Sequence, residues 1–197
     1  SFEGGAVTTN DAALAQRRRL MKNFGFAGYD KVVYLGTNGK MSEASAAMGL
    51  TSLESMDQFI EVNRNNYYAY AAGLEEIPGV SLLPYDETEQ CNYQYIVLEC
   101  EPEKIGLTRD ELVAALHAEN VFARRYFYPG CHRMEPYCSI QPKAGVLLPQ
   151  TEALVQRIII LPTGTAVSTD DVASICAIIG DACRAHKAVR HAARAAT

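Results

Sequence analysis

The chain has 197 residues and a formal net charge of −5, with 48% hydrophobic and 21% charged residues. This composition is typical of a soluble globular protein and lacks the basic stripe that a general nucleic-acid binder shows. The longest apolar runs are too short to span a bilayer, and the first residues have neither the basic start nor the apolar stretch of a signal peptide.

The N-terminal residues predict a strand followed by a helix. Residues 6–9 are β-prone and follow paired glycines, and Asn10 or Asp11 can cap a helix with periodic apolar residues. Gly25 is placed to end this helix. The consecutive arginines at 17–19 are expected to form a solvated face.

A glycine-rich loop and two helices are predicted next. Residues 36–43 (GTNGKMSE) combine glycine, an amide, a lysine and a helix start, which together favour binding of an anion. The spacing is neither that of a P-loop nor that of a dinucleotide fingerprint, and a plain loop is the alternative. Residues 42–48 and 52–74 are predicted as helices, and the second ends at 78–79 (PG).

The second half of the chain alternates short strands with helices. Strands are predicted at 80–83, 93–99, 121–124 and 157–161, and helices at 108–119, 151–156 and from 168 onward. The core face of the last helix is predicted to be Val172, Ile175, Ile179 and Cys183. The basic tail from Lys187 is expected to fray because nothing apolar anchors it. This pattern predicts an α+β layer, with helices on one face of a small mixed sheet.

Six cysteines are spread along the chain without a C-x-x-C pair. Cys176 and Cys183 fall on one face of a predicted helix, as small core residues do. Cys131, His132 and Cys138 are close in sequence, but their spacing fits no common zinc pattern and a fourth ligand is missing. The sequence therefore predicts reduced thiols in a cytoplasmic protein, and no metal site.

An irregular segment at 124–137 (RRYFYPGCHRMEPY) concentrates aromatic, basic and imidazole groups. Loops of this kind often line binding sites, while packing of a structured loop is the alternative. No nucleophile elbow or catalytic triad is visible. The remaining histidines are expected to be solvated: His117, His186 and His191.

Taken in order, these stretches resemble the DegT/StrS-type aminotransferases, which use pyridoxal phosphate (PLP) to make amino sugars on nucleotide carriers. The family motifs are E-G-G-x-x-x-T-N-D, R-N-F-G, G-x-N-x-R-M, A-A-x-G-L, R-x-Y-F-x-P-x-x-H and L-P-x-G. Their counterparts are residues 3–11 (EGGAVTTND), 22–25 (KNFG), 36–41 (GTNGKM), 46–50 (AAMGL), 125–132 (RYFYPGCH) and 161–164 (LPTG). The resemblance extends to about residue 185.

The resemblance implies the type I PLP-transferase fold, of a class between α/β and α+β. Residues 1–50 would be the remnant of the PLP-binding large domain, 51–186 the small C-terminal domain, and 187–197 a basic, alanine-rich tail.

Roles for four residues also follow from the resemblance. Asn38 would reach the PLP phosphate of the partner subunit in a homodimer, in agreement with the anion-site argument. Lys40 stands where the family has arginine. An ammonium group therefore replaces a guanidinium, which could form two parallel hydrogen bonds with the nucleotide-sugar substrate. Tyr126 and His132 would line the substrate pocket.

The family's Schiff-base lysine would lie a few residues before Ser1, and Lys22, Lys31 and Lys40 do not match its position. PLP chemistry needs that lysine to hold the cofactor and to move a proton. These residues alone are therefore expected not to transaminate and to need a missing N-terminal half.

The leading hypothesis is the C-terminal part of an aminotransferase that moves an amino group, expected from glutamate, to a keto-sugar nucleotide. A second hypothesis is a non-catalytic domain that acts in binding or assembly and self-associates through exposed apolar surface. A third is a lysine-free relative, such as the PLP-dependent sugar dehydratases, in which histidine replaces lysine.

Overall fold

The computed structural model describes residues 4–195 and divides the chain into two compact units, Ser1–Asp57 and Gln58–Thr197. Glu3, the first residue of the first motif, lies outside the described residues. The predicted assignment of 1–50 to a large domain and of 51–186 to a small domain stays a prediction, because a division by contacts does not identify a PLP-binding domain.

The first helix, α1, spans Ala12–Met21 and begins at Asp11, whose carboxylate accepts hydrogen bonds from two backbone amides, at 2.8 and 3.1 Å. The arginines at 17–19 are exposed, as expected. Residues 6–9 are exposed, and no strand within residues 4–195 pairs with them. The prediction of a strand there is wrong, because β-prone residues form a strand only where a neighbour pairs with them.

A short antiparallel hairpin follows α1, formed by β1 (Phe26–Gly28) and β2 (Lys31–Val32). Helix α2 spans Glu43–Glu54 and is longer than the predicted 42–48, since Ser42 caps it and small residues continue the helix. Helix α3 spans Met56–Leu74.

The second unit contains a three-stranded sheet in the order β3 (Val80–Leu82), β4 (Ile96–Cys100) and β5 (Ile158–Leu161). Both strand pairs are antiparallel, so the expected mixed sheet is wrong for the described strands. The long connection between β4 and β5 returns the chain in the opposite direction, which antiparallel pairing requires.

The predicted strand at 121–124 is reduced to one bridge, in which Arg124 and Ile160 exchange backbone hydrogen bonds of 3.0 and 2.8 Å. Phe122 is exposed, and the chain then leaves the sheet edge for the irregular segment at 124–137, which we call the aromatic loop, so the strand pairing does not continue. Strand β4 likewise begins at Ile96 rather than at 93, since Tyr93 has a positive φ that is incompatible with a regular strand.

Seven further helices belong to the second unit in the described residues. They are α4 (Pro102–Ile105), α5 (Arg109–Ala118), α6 (Tyr137–Ile140), α7 (Ala144–Leu147), α8 (Pro149–Leu154), α9 (Thr169–Arg184) and α10 (His186–Ala195), with a 3₁₀ turn at Cys131–Arg133. Capping boxes begin two of the predicted helices: Thr108 pairs with Glu111 at the start of α5, and Ser168 pairs with Asp171 at the start of α9.

The core of the second unit lies between β4 and helices α3, α5 and α9. Alternate β4 residues are buried, and the predicted core residues of α9 are confirmed except that Cys183 is half-buried. Helices α3 and α9 approach closely at Gly73, where an added Cβ would lie 2.7 Å from the Sγ of Cys176.

The tail does not fray at Lys187 as predicted. It continues as α10, because Val189 packs against the core and Arg190 donates a 2.5 Å hydrogen bond to the carbonyl of Gly106. All six cysteines are free. No helix within residues 4–195 is long and apolar enough to cross a membrane.

Candidate functional site

The loop at 36–41 is held to the end of α1 by its backbone. Thr37 donates to the carbonyl of Met21 at 2.9 Å, and Gly39 donates to that of Lys22 at 2.9 Å. Gly36 has no room for a side chain, because an added Cβ would lie 2.4 Å from the Met21 carbonyl oxygen. The loop that carries Asn38 is therefore fixed before any ligand binds.

The side chain of Asn38 is exposed on this loop, while its backbone bridges to Asn23. In the part of the chain that the structure describes, no hydrogen bond engages the Asn38 amide. An amide with two N–H donors on a fixed backbone is suited to bind a phosphate oxygen.

Lys40 is held by the motif at 22–25. Its ammonium donates to Oδ1 of Asn23 at 3.2 Å and lies 5.0 Å from the ring centroid of Phe24. The motif at 36–41 therefore supplies the cation, and the motif at 22–25 holds it in place through a hydrogen bond and a cation–π contact. Sequence reasoning listed both motifs but did not connect them.

A cavity of about 800 Å³ opens beside α1 and this loop in the first unit. Its lining includes the cationic side chains of Arg18, Arg19 and Lys22, none of which has an ion-pair partner among residues 4–195. This surface carries an excess of positive charge, which favours an anionic ligand.

In the second unit, Tyr126 belongs to a packed aromatic group. Its ring stacks on Phe127 with centroids 4.7 Å apart and meets Tyr95 edge-on at 6.0 Å. Arg124 donates to its hydroxyl. Tyr126 and Phe127 help to line a cavity of about 410 Å³, together with Arg125.

Two guanidinium groups lie near the ring of Tyr128, that of Arg109 at 4.7 Å and that of Arg125 at 5.0 Å from the ring centroid. Arg109 is buried and donates to the backbone carbonyls of Val155 and Ile158 at 2.9 and 3.1 Å. It therefore ties the aromatic loop to α5 and to the start of β5. Sequence reasoning missed Arg109, because an arginine in the first turn of a helix is normally solvated.

His132 lies in the 3₁₀ turn, with only 10% of its side chain exposed. Its Nε2 is 2.6 Å from Oε1 of Glu152 on α8. Glu152 also accepts two hydrogen bonds of 2.7 Å from the guanidinium of Arg133. Hydrogen bonds from Arg133 and then His132 lower the pKa of Glu152 to about 2. Nothing in the sequence distinguished Glu152 from other acidic residues of short helices.

The four predicted site residues fall into two pairs. Asn38 and Lys40 share the loop of the first unit, and Tyr126 and His132 share the aromatic loop of the second. The second pair borders different cavities, since His132 lines one of about 280 Å³ with Tyr137. Within residues 4–195, no three His, Cys, Asp or Glu side chains are grouped as metal ligands.

These elements define the C-terminal portion of a PLP-dependent aminotransferase fold: a small sheet covered by helices, preceded by a glycine-rich loop. The family model of the DegT/DnrJ/EryC1/StrS aminotransferases matches residues 1–180, and the chain belongs to this family.

Two curated relatives are named dTDP-4-amino-4,6-dideoxy-D-glucose transaminase. The protein from Shigella dysenteriae is 33% identical over 86% of this chain and 46% of its own length. The protein from Escherichia coli is 30% identical over 91% of this chain and 48% of its own length. The chain thus spans about half the length of the curated relatives it matches.

Solved structures agree with this assignment. The crystal structure of DesI in the presence of its TDP-sugar product superposes with a TM-score of 0.87 at 43% identity, over 98% of this chain and 48% of that one. DesV of S. venezuelae has a TM-score of 0.80 at 22% identity, over 89% of this chain and 45% of that one, and this likeness shows the fold alone.

Proposed function

We propose that the chain is the C-terminal part of a cytoplasmic aminotransferase that moves an amino group from glutamate to the keto group of a dTDP-linked sugar. The observation that carries this proposal is the similarity, over 98% of the chain, to an enzyme crystallised with its TDP-sugar product. The two curated relatives named as dTDP-sugar transaminases support the same substrate class.

Residues 1–50 are proposed to be the end of the PLP-binding large domain, 51–186 the small domain, and 187–197 a tail. The family implies PLP, which accepts and returns the amino group when it is bound. The residues present fit its phosphate, because the Asn38 amide is exposed on a fixed loop and unengaged among the described side chains.

In this proposal, Asn38 donates to the PLP phosphate of the partner subunit in a homodimer. Lys40 supplies a positive charge toward the diphosphate of the nucleotide sugar, and its contacts with Asn23 and Phe24 keep the ammonium in place. Tyr126 and His132 line the pocket for the sugar in this proposal, each from the separate cavity that it borders. No lysine of these 197 residues matches the Schiff-base position, so the chain is proposed to need an N-terminal half for transamination.

The test uses the complete protein that contains this chain, purified with PLP. It is given glutamate and the 4-keto counterpart of dTDP-4-amino-4,6-dideoxy-D-glucose, and the product is identified by mass spectrometry. Formation of the dTDP-amino sugar is expected. A protein that binds PLP but aminates no dTDP-keto sugar would contradict the proposal, and the non-catalytic alternative would then be favoured.

The role of Asn38 is tested separately by Asn38→Ala, with Asn65→Ala as the control, since Asn65 is an exposed residue of α3. Asn38→Ala is expected to weaken PLP retention during dialysis about tenfold, the cost of one hydrogen bond to a charged group. Equal retention by the two variants would show that Asn38 does not contact the phosphate.

A further inference from the structure

One carboxylate holds two consecutive residues of the aromatic loop. Oε1 of Glu152 lies 2.6 Å from Nε2 of His132 and 2.7 Å from Nε of Arg133, while Oε2 lies 2.7 Å from Nη2 of Arg133. Glu152 lies on α8, so these contacts tie the 3₁₀ turn to a helix some twenty residues further along the chain. The imidazole and the guanidinium cannot move independently while this carboxylate binds both.

The protonation of Glu152 decides which imidazole nitrogen carries hydrogen. Its pKa is lowered to about 2, so the carboxylate is ionised at neutral pH and can only accept hydrogen bonds. Nε2 of His132 must therefore be the donor. Nδ1 is left for another contact, and no hydrogen bond from residues 4–195 reaches it.

The ring of His132 packs against a glycine that leaves it room. Gly130 has a φ of +100°, and an added Cβ would lie 2.6 Å from Cε1 and 2.9 Å from Nδ1 of His132. The same ring forms part of the wall of the cavity of about 280 Å³. Its orientation is therefore set on one side by the carboxylate and on the other by the backbone of Gly130.

We propose that Glu152 is a positioning residue, which fixes the His132 ring through Nε2 so that Nδ1 contacts the nucleotide-sugar substrate. The inference rests on the proposed function, which places His132 at the sugar. Glu152 itself does not touch the substrate. Its role is to hold one tautomer of the His132 ring in one orientation. Less conformational entropy is then lost when the substrate binds.

The experiment uses the complete protein and separates its two half-reactions in single-turnover measurements, one with glutamate and one with the keto-sugar nucleotide. Glu152→Gln keeps the size of the side chain and removes the charge. We expect it to slow the sugar half-reaction about tenfold, as for one lost charge-assisted hydrogen bond, and to leave the glutamate half-reaction within about twofold. A merely structural role would slow both half-reactions together.

Two matched variants sharpen the comparison. Glu101→Gln removes the carboxylate of a surface ion pair with Lys104 and is expected to behave as wild type. Arg133→Met removes the guanidinium that binds both oxygens of Glu152 but leaves the contact between Glu152 and His132. It is also expected to keep the rate of the sugar half-reaction within about twofold of wild type. If Arg133→Met slows that half-reaction as much as Glu152→Gln does, the carboxylate anchors the loop rather than the imidazole, and the proposal is wrong.

The rate of deuterium exchange at the Cε1 hydrogen of His132, measured by mass spectrometry, depends on the position of the ring and does not require enzymatic activity. We expect exchange to become severalfold faster in Glu152→Gln, since the ring is then released from Gly130. Unchanged exchange would refute the positioning role, whether or not the protein is an aminotransferase. Faster exchange with both half-reactions unchanged would refute the contact with substrate. If the wild-type protein aminates no nucleotide sugar, the proposed function fails, while the exchange comparison still decides on the positioning.

Discussion

The two segments that carry the candidate site residues are held in place by different means. The loop at 36–41 is fixed by backbone hydrogen bonds to the end of α1, and its Asn38 side chain remains exposed. The aromatic loop at 124–137 is bridged to β5 by its backbone only at Arg124, and beyond that it is held by the side chains of Arg109 and Glu152, which reach it from α5 and α8. The first segment should therefore be sensitive to added atoms at its glycines, and the second to the loss of charged side chains.

The largest expected effect comes from crowding the first loop. Gly36→Ala places a Cβ within 2.4 to 2.6 Å of backbone atoms of Met21, Phe24 and Gly25, none of which can move alone. We expect destabilisation of this unit by about 3 kcal/mol, measured as loss of protection in amide hydrogen exchange at residues of α1. Gly28→Ala is the control, since nothing lies within 4 Å of its added Cβ. Equal protection in the two variants would show that the loop yields easily.

The next effect is expected in the second segment. Arg109→Met removes two hydrogen bonds to the carbonyls of Val155 and Ile158 and a 2.7 Å ion pair with Asp110. It also removes the cation that lies over the ring of Tyr128. We expect destabilisation by about 2 kcal/mol, less than the bond count implies, because Nη2 of Arg109 is buried without a partner in the described structure. The measurement is the midpoint of thermal unfolding of the complete protein.

Arg64→Met is the control for this prediction, because Arg64 is an exposed cation over the ring of Tyr68. It should leave the midpoint nearly unchanged. A comparable drop in both variants would mean that burial of Arg109 adds nothing to the stability of the aromatic loop.

The pH dependence of stability tests the charge on Glu152. Its pKa is depressed in the folded protein to about 2, by Arg133 and then His132, from an ordinary value of 4.5. The stabilisation is therefore complete above pH of about 4.5 and is lost as the pH falls toward about 2. Glu152→Gln should be less stable than wild type at neutral pH, and the difference should shrink through this window in urea unfolding curves. A constant difference across the window would mean that the carboxylate is not specifically stabilised by its ion pairs.

The smallest effect is expected from Lys40→Arg, which restores the residue typical of the family motif. In the proposed function the guanidinium can form two hydrogen bonds with the diphosphate of the nucleotide sugar, so the KM of the complete protein for that proposed substrate should fall about threefold while stability stays the same. Lys31→Arg, at an exposed position in β2, serves as the control. An increase in KM would show that the contacts of Lys40 with Asn23 and Phe24 fit lysine alone.

The sequence was sufficient for those features that depend on nearby residues. The helices that begin after Thr108 and Ser168 were predicted, because the residues that cap them lie within three positions. The order of short motifs identified the family, which the match over residues 1–180 confirms. The strand at 6–9 failed because pairing depends on a neighbour that local propensity does not reveal.

The parts that were missed depend on contacts between distant residues. Arg109 bonds to carbonyls more than forty positions away, and Glu152 meets His132 across twenty positions. No periodicity or motif in a single sequence indicates such pairs. The tail was misjudged for the same reason, since the hydrogen bond from Arg190 to Gly106 spans 84 positions. Residue types in the aromatic loop indicated a site, but not the carboxylate that holds it.

Because α3 and α9 approach closely at Gly73, alkylation of a cysteine between them measures how readily the two helices separate. Burial raises the pKa of Cys176 to about 11, and its sulfur is covered at Gly73, so in the folded state it is protonated and shielded from alkylating reagents. Cys131 is exposed and reacts without any opening. The delay between alkylation of these two thiols therefore times the separation of the two helices, with no label added to the protein.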